Sequence, residues 1–169
     1  AWVQDISELD GNIFFCSYHI YKSTDSGDSW GITGYSFTQV TALASTLSPR
    51  LLAHEYYCVT TNPIKKWLVM GENSMHLANA ASYYVSPSNI IYATSRSEHG
   101  VFKSTNDGRD WVINKTGLDP FPVLSVIGID EATLLTAQGD WITTKVYRSA
   151  DSGSSWTASS TGLPDTLQI

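Results

Sequence analysis

Ile20-Tyr21-Lys22-Ser23-Thr24-Asp25-Ser26-Gly27-Asp28-Ser29-Trp30 returns twice further along the chain. It reappears as Val101-Phe102-Lys103-Ser104-Thr105-Asn106-Asp107-Gly108-Arg109-Asp110-Trp111 and as Val146-Tyr147-Arg148-Ser149-Ala150-Asp151-Ser152-Gly153-Ser154-Ser155-Trp156. The shared pattern is apolar, aromatic, basic, Ser, x, Asp or Asn, x, Gly, x, x, Trp. A degenerate copy keeps Thr60, Asn62 and Trp67 at the same offsets but has no Gly. The hydroxyl residues then stand at 23, 60, 104 and 149, spaced by 37, 44 and 45 residues. That period is the length of a four-stranded antiparallel sheet with its turns, and it points to propeller blades.

Each offset has a physical task. The alternation ahead of Ser is a strand, and the Asp or Asn side chain closes a turn on backbone N–H groups. Gly accepts the positive φ such a turn needs, and Trp opens the next strand by packing into the sheet. Upstream of each copy lies another short apolar run: Asn12-Ile13-Phe14-Phe15, Leu51-Leu52-Ala53, Ile90-Ile91-Tyr92-Ala93 and Thr133-Leu134-Leu135-Thr136. Asp10-Gly11 and Pro87-Ser88-Asn89 supply turn chemistry before two of them. Helical periodicity is absent, apart from an ambiguous stretch from Met75 to Ala81. The expected fold class is all-β: a single propeller domain with blades at 1–37, 38–79, 80–120 and 121–169.

The repeated stretch resembles the Asp-box, or bacterial neuraminidase repeat, of form Ser-x-Asp-x-Gly-x-x-Trp. Ser23, Asp25, Gly27, Trp30 and Ser149, Asp151, Gly153, Trp156 match it in full. Ser104, Asn106, Gly108 and Trp111 match with Asn for Asp, while Thr60, Asn62 and Trp67 match in part. Proteins of this superfamily include sialidases, xyloglucan-degrading glycoside hydrolases, sortilin-type receptors and a photosystem assembly factor. The resemblance therefore implies a β-propeller and leaves the activity open.

The two ends of the chain also look related. Thr161-Gly162-Leu163 repeats Thr116-Gly117-Leu118, which precedes the run Val123 to Ile129, and Ala1-Trp2-Val3 resembles the half that would follow Leu163. Three arrangements fit: a closed four-bladed ring, a head-to-tail assembly in which one copy completes a strand of the next, or a part of a longer propeller. The first two remove an exposed sheet edge.

Composition narrows the function classes. With 16 acidic and 10 basic residues among 169, the net charge is −6, which disfavours a nucleic-acid surface. The apolar runs are of strand length, far below the roughly 20 residues of a membrane span. Few Lys and many Ser and Thr, with the sequon Asn114-Lys115-Thr116 in an expected turn, suit an extracellular, cell-surface or periplasmic protein. Cys16 and Cys58 occupy comparable strand positions and read as buried thiols in preference to a bridge.

Candidate ligand residues come from the loops joining the second and third strands, at the end of each blade opposite the Asp-box. They are Tyr18 and His19; His54, Glu55 and Tyr56; Arg96, Glu98 and His99; Asp140 and Trp141. Aromatic faces beside carboxylates suit sugar rings. A glycosidase needs two carboxyl groups, one with a raised pKa, and Glu55, Glu98 and Asp140 are the candidates. Sialidases, by resemblance, use three Arg around the substrate carboxylate, and only Arg50 and Arg96 lie outside the boxes here. His19, His54 and His99 fall at corresponding loops, a pattern consistent with a three-His zinc site, and Asp25 with Asp28 or Asp107 with Asp110 could hold calcium; surface histidines and turn closure explain the same residues, no EF-hand or phosphate-loop spacing is present, and no cofactor or metal is expected. The reading is a non-enzymatic binding or structural module, with itself, another protein or a glycan as partner. A carbohydrate-active enzyme is the alternative.

Overall fold

The computed structural model describes residues 5–17, 19–36, 43–46, 50–53, 58–61, 68–69, 80–139 and 144–163. Those residues form four antiparallel four-stranded sheets, each made of strands consecutive in the chain. The first holds β1 (Asp5–Leu9), β2 (Asn12–Cys16), β3 (His19–Ser23) and β4 (Gly31–Ser36). The second holds β5 (Leu43–Thr46), β6 (Arg50–Ala53), β7 (Cys58–Thr61) and β8 (Leu68–Val69). In the third are β9 (Ala80–Val85), β10 (Ile91–Ser95), β11 (Val101–Ser104) and β12 (Val112–Asn114). The fourth comprises β13 (Val123–Gly128), β14 (Leu134–Gly139), β15 (Thr144–Ser149) and β16 (Thr157–Ala158).

The turns form where the sequence supplies the residues for them. Asp10 and Gly11, at φ of 50° and 74°, join Leu9 to its cross-strand partner Asn12 in a two-residue hairpin. Asn89 takes φ 61° between β9 and β10, and its N–H donates to the Ser86 carbonyl at 2.9 Å. Strand β12 begins directly after Trp111, so Asn114 ends a strand, paired with Val101, and does not lie in the turn expected from the sequon.

Successive sheets pack through their first strands, β1 on β5, β5 on β9 and β9 on β13. Among the described residues no contact of that extent joins β13 back to β1. The core between the third and fourth sheets contains Tyr92, Val101, Val126, Leu134, Tyr147 and Trp156, all buried. Each large side chain removed from water there contributes about 1.5–3 kcal/mol. The other face of the third sheet carries Ile91, packed with Ala44 of β5, and Ala93 with Phe102. Gly128 is required by close approach, since a Cβ there would lie 2.2 Å from the Tyr84 ring.

One expectation is revised: a closed four-sheet ring would cover the outer faces of the first and fourth sheets, yet Ile6 and Ile127 on those faces are exposed. The stretches 1–4 and 164–169, on which strand completion between copies would rest, fall outside the described residues. Cys16 ends β2 as a buried free thiol, its pKa pushed up to about 12 by burial and by Asp5. A thiol held protonated in this way is unreactive. Cys58 lies on β7 opposite Val69 and Ala53.

Candidate functional site

Three of the repeated turns are described, and their geometry is the same. In each, the Ser Oγ donates to the carboxyl or amide oxygen two residues on, at 2.7 Å for Ser23–Asp25, 3.1 Å for Ser104–Asn106 and 2.7 Å for Ser149–Asp151. The same Oγ accepts from the N–H of Gly27, Gly108 and Gly153 at 2.8, 2.9 and 2.9 Å. That Asp or Asn oxygen in turn accepts from the N–H of Ser29, Asp110 and Ser155, at 2.9 Å in all three. Ser26, Asp107 and Ser152 sit at φ of 59°, 59° and 55°, followed by a left-handed Gly. The polar side chains of the motif are thus engaged in folding their own turn. Thr60 lies on β7, paired with Leu51; Asn62 and Trp67 fall outside the described residues.

This engagement sets the electrostatics. Hydrogen bonds from Ser29 and Ser23 hold the Asp25 carboxyl at about 2, and those from Ser155 and Ser149 do the same for Asp151. Lys145, 2.7 Å away, lowers Asp119, while the N–H groups of Thr133 and Ala132 lower Asp130. Tyr147 is pushed up to about 12 by burial and by Asp119, and Tyr92 to about 12 chiefly by burial.

At the opposite end of the sheets lie the candidate loops. His19 opens β3, half-buried, its ring edge-on to Tyr21 with centroids 6.1 Å apart. Arg96, Glu98 and His99 occupy the connection from β10 to β11, with Arg96 and His99 exposed and Glu98 half-buried. Tyr18, His54, Glu55, Tyr56, Asp140 and Trp141 fall outside the described residues. The structure therefore places one loop triad together and assigns no convergence between loops. Among the described residues, no three His, Cys, Asp or Glu side chains group as a metal site.

This end also holds two residues that the sequence reading missed, Thr94 and Thr144, beside His19, which it had named. His19 Nδ1, Thr94 Oγ1 and Thr144 Oγ1 are buried without a hydrogen-bonding partner, at corresponding ends of the first, third and fourth sheets. An unmet buried polar group costs about 1–3 kcal/mol. Nothing in the pattern of the chain marks Thr94 or Thr144, since a Thr inside a strand is ordinary. Buried Gln138 ties the loop ahead of β13 to this end: its Nε2 donates to the carbonyls of Asp119 and Phe121, both at 2.6 Å, and its Oε1 accepts from the Asp119 N–H at 3.0 Å.

No family model matches the chain, and no curated protein matches it in sequence. Among solved structures it is similar to an ancestral GH74 enzyme, at 24% identity and TM-score 0.73, over 95% of this chain and 24% of that one. It is similar to YCF48 bound to D1 peptide, at 14% identity and TM-score 0.70, over 96% of this chain and 55% of that one. A third likeness is to virginiamycin B lyase from Staphylococcus aureus with quinupristin, at 14% identity and TM-score 0.66, over 96% and 57%. All three are β-propellers, and the likeness shows that fold here. The chain spans between 24% and 57% of the length of these three.

Proposed function

We propose that the chain is a non-enzymatic β-propeller module of four Asp-box repeats, working outside the cytoplasm as a binding or structural element. The observation that carries this reading is how the ionisable groups are used. Among the described residues, the carboxyls with displaced pKa values are Asp25, Asp119, Asp130 and Asp151, and all four move down, as suits fixed hydrogen-bond acceptors. The repeated turns act as scaffold, and the loops around His19, His54-Glu55-Tyr56, Arg96-Glu98-His99 and Asp140-Trp141 form the binding rim in this reading. Its partner is a protein segment, another copy of the chain included; the peptide bound by YCF48 supports that choice. Asn114 carries a glycan in this reading, and no cofactor or nucleic acid takes part.

One observation favours a second reading. The likeness to a GH74 enzyme, together with loop aromatics and carboxylates, fits a glycoside hydrolase or a glycan-binding propeller. A triple variant, Glu55→Gln, Glu98→Gln and Asp140→Asn, separates the two when reducing-sugar release from xyloglucan is measured beside thermal unfolding. The module reading expects no release from either protein and the same unfolding temperature. Release by the wild type that is lost in the variant would establish the hydrolase.

A further inference from the structure

Two connections of the third sheet meet at the end away from its repeated turn. Strand β10 finishes at Ser95 with a register shift against β9, and residues 96–100 lead from it into β11. An irregularity of this kind re-aims the chain as it leaves the sheet. Ser95 Oγ then accepts the Ser97 N–H at 3.2 Å, which fixes the start of the connection. Lys115 follows β12, the strand paired with β11, and its side chain lies along Gly100: a Cβ there would come within 2.9 Å of Lys115 Cγ. Arg96, His99 and Lys115 are thereby brought to one place, and all three are exposed.

These groups have no counter-charge of their own. Among the described residues, none of the three side chains makes a hydrogen bond or an ion pair, and half-buried Glu98 in the same connection pairs with none of them. Two other carboxylates at this end are engaged elsewhere. Asp5 accepts the N–H groups of Ile6 and Leu43 at 2.8 and 2.9 Å, and Asp119 holds Lys145 at 2.7 Å. On the repeated turns, at the opposite end, stand Asp25, Asp28, Asp107, Asp110 and Asp151. In a chain with 16 acidic and 10 basic residues, basic side chains set side by side without an acid repel one another to no structural gain. An anionic group from outside removes that repulsion.

The geometry points to Arg96, His99 and Lys115 as the seat of an acidic segment of a partner protein. The planar guanidinium of Arg96 takes one carboxylate through two parallel N–H bonds, and the Lys115 ammonium pairs with a second as a point charge. His99 adds a ring N–H donor. The overall charge selects among anions: a chain at −6 repels a dense polyanion such as a sulfated glycan, whereas a segment with a few carboxylates meets the local cations against weaker repulsion. The inference rests on the rim as the binding site for a protein segment; it names that segment's chemistry and adds Lys115 to the rim.

Fluorescence anisotropy with a rhodamine-labelled peptide of three glutamates spaced by glycines, beside its glutamine counterpart, tests this. The chain is made in a bacterial host, so that no glycan stands on Asn114 next to Lys115. Saturable binding of the glutamate peptide is expected at low salt, weakening as salt rises, and none of the glutamine peptide. Arg96→Gln and Lys115→Gln should each weaken binding roughly threefold, and together roughly tenfold, as for exposed ion pairs. Arg109→Gln removes the same charge from the repeated turn of the same sheet, where Arg109 is also exposed, and should leave binding unchanged. All three substitutions are at exposed positions and should keep the wild-type unfolding temperature. No binding by the wild type would overturn this proposal and leave the module reading to the sugar-release measurement. Equal weakening by Arg109→Gln and Arg96→Gln would reduce the effect to net charge and overturn the site. Tighter binding of a heparin-type sulfated oligosaccharide, lost in the Arg96→Gln and Lys115→Gln variants, would overturn a protein segment as its occupant.

Discussion

The turn closed by Ser23 and the turn closed by Ser149 have matching internal hydrogen bonds and opposite surroundings. Trp156 is buried against the third sheet, and the Thr116 carbonyl in the turn after β12 accepts its backbone N–H at 2.9 Å; Trp30 is exposed. The turn thus needs no neighbour in order to form. What the neighbour adds is burial. Indole hydrogen bonding runs the other way: Trp30 Nε1 donates to the Gly27 carbonyl at 3.1 Å, while Trp156 Nε1 is buried without a partner. Packing at the covered turn outweighs the loss of that bond.

Four pairs of substitutions break or sharpen the comparison. Trp156→Ala should cost about 3–5 kcal/mol in denaturant unfolding, the range for a buried aromatic, and Trp30→Ala only about 1 kcal/mol. The paired glycines Gly117 and Gly162, at φ +85° and +87°, come next. A Cβ on Gly117 would lie 1.9 Å from the Trp156 carbonyl oxygen, whereas one on Gly162 meets nothing within 4 Å. Gly117→Ala should therefore cost about 3 kcal/mol and Gly162→Ala about 1 kcal/mol, the second being the left-handed backbone penalty alone. Ser23→Ala and Ser149→Ala remove the same local bonds and should differ little from each other, each lowering stability by about 1–2 kcal/mol. Equal Trp costs, or unequal Ser costs, would break the separation of turn closure from burial.

The smallest effect is in acid. Asp25 and Asp151 have folded-state values of about 2, below the ordinary 3.8, so the folded state binds fewer protons than the unfolded chain. Their contribution is fully present above about pH 4 and is lost as pH falls toward 2. Asp25→Asn and Asp151→Asn should each keep the turn, as Asn106 does naturally, and flatten the fall in melting temperature between pH 4 and pH 2.

How much of this was legible in the sequence follows from the range of each interaction. Ser23, Asp25 and Gly27 bond within four residues of one another, so their spacing alone displays the turn. The strands β2, β6, β10 and β14 fall on the short apolar runs because alternation and turn residues are local signals. Asn114 ends a strand and does not lie in the expected turn because the chain re-enters a sheet immediately after Trp111. The exposure of Ile6 and Ile127 was not legible, since each is an ordinary apolar strand residue whose covering depends on a neighbouring sheet. Thr94 and Thr144 were missed for a related reason: whether a hydroxyl finds a partner is decided by tertiary packing. The candidate loops are legible as polar and aromatic, but their convergence depends on how the sheets curve around an axis, which no local pattern encodes.

Hydroxyl-radical footprinting of the wild-type chain tests most directly the claim that the same turn closes whether or not its Trp is covered. Trp30 should react readily and Trp156 should resist. Equal reactivity of Trp30 and Trp156 would contradict the account.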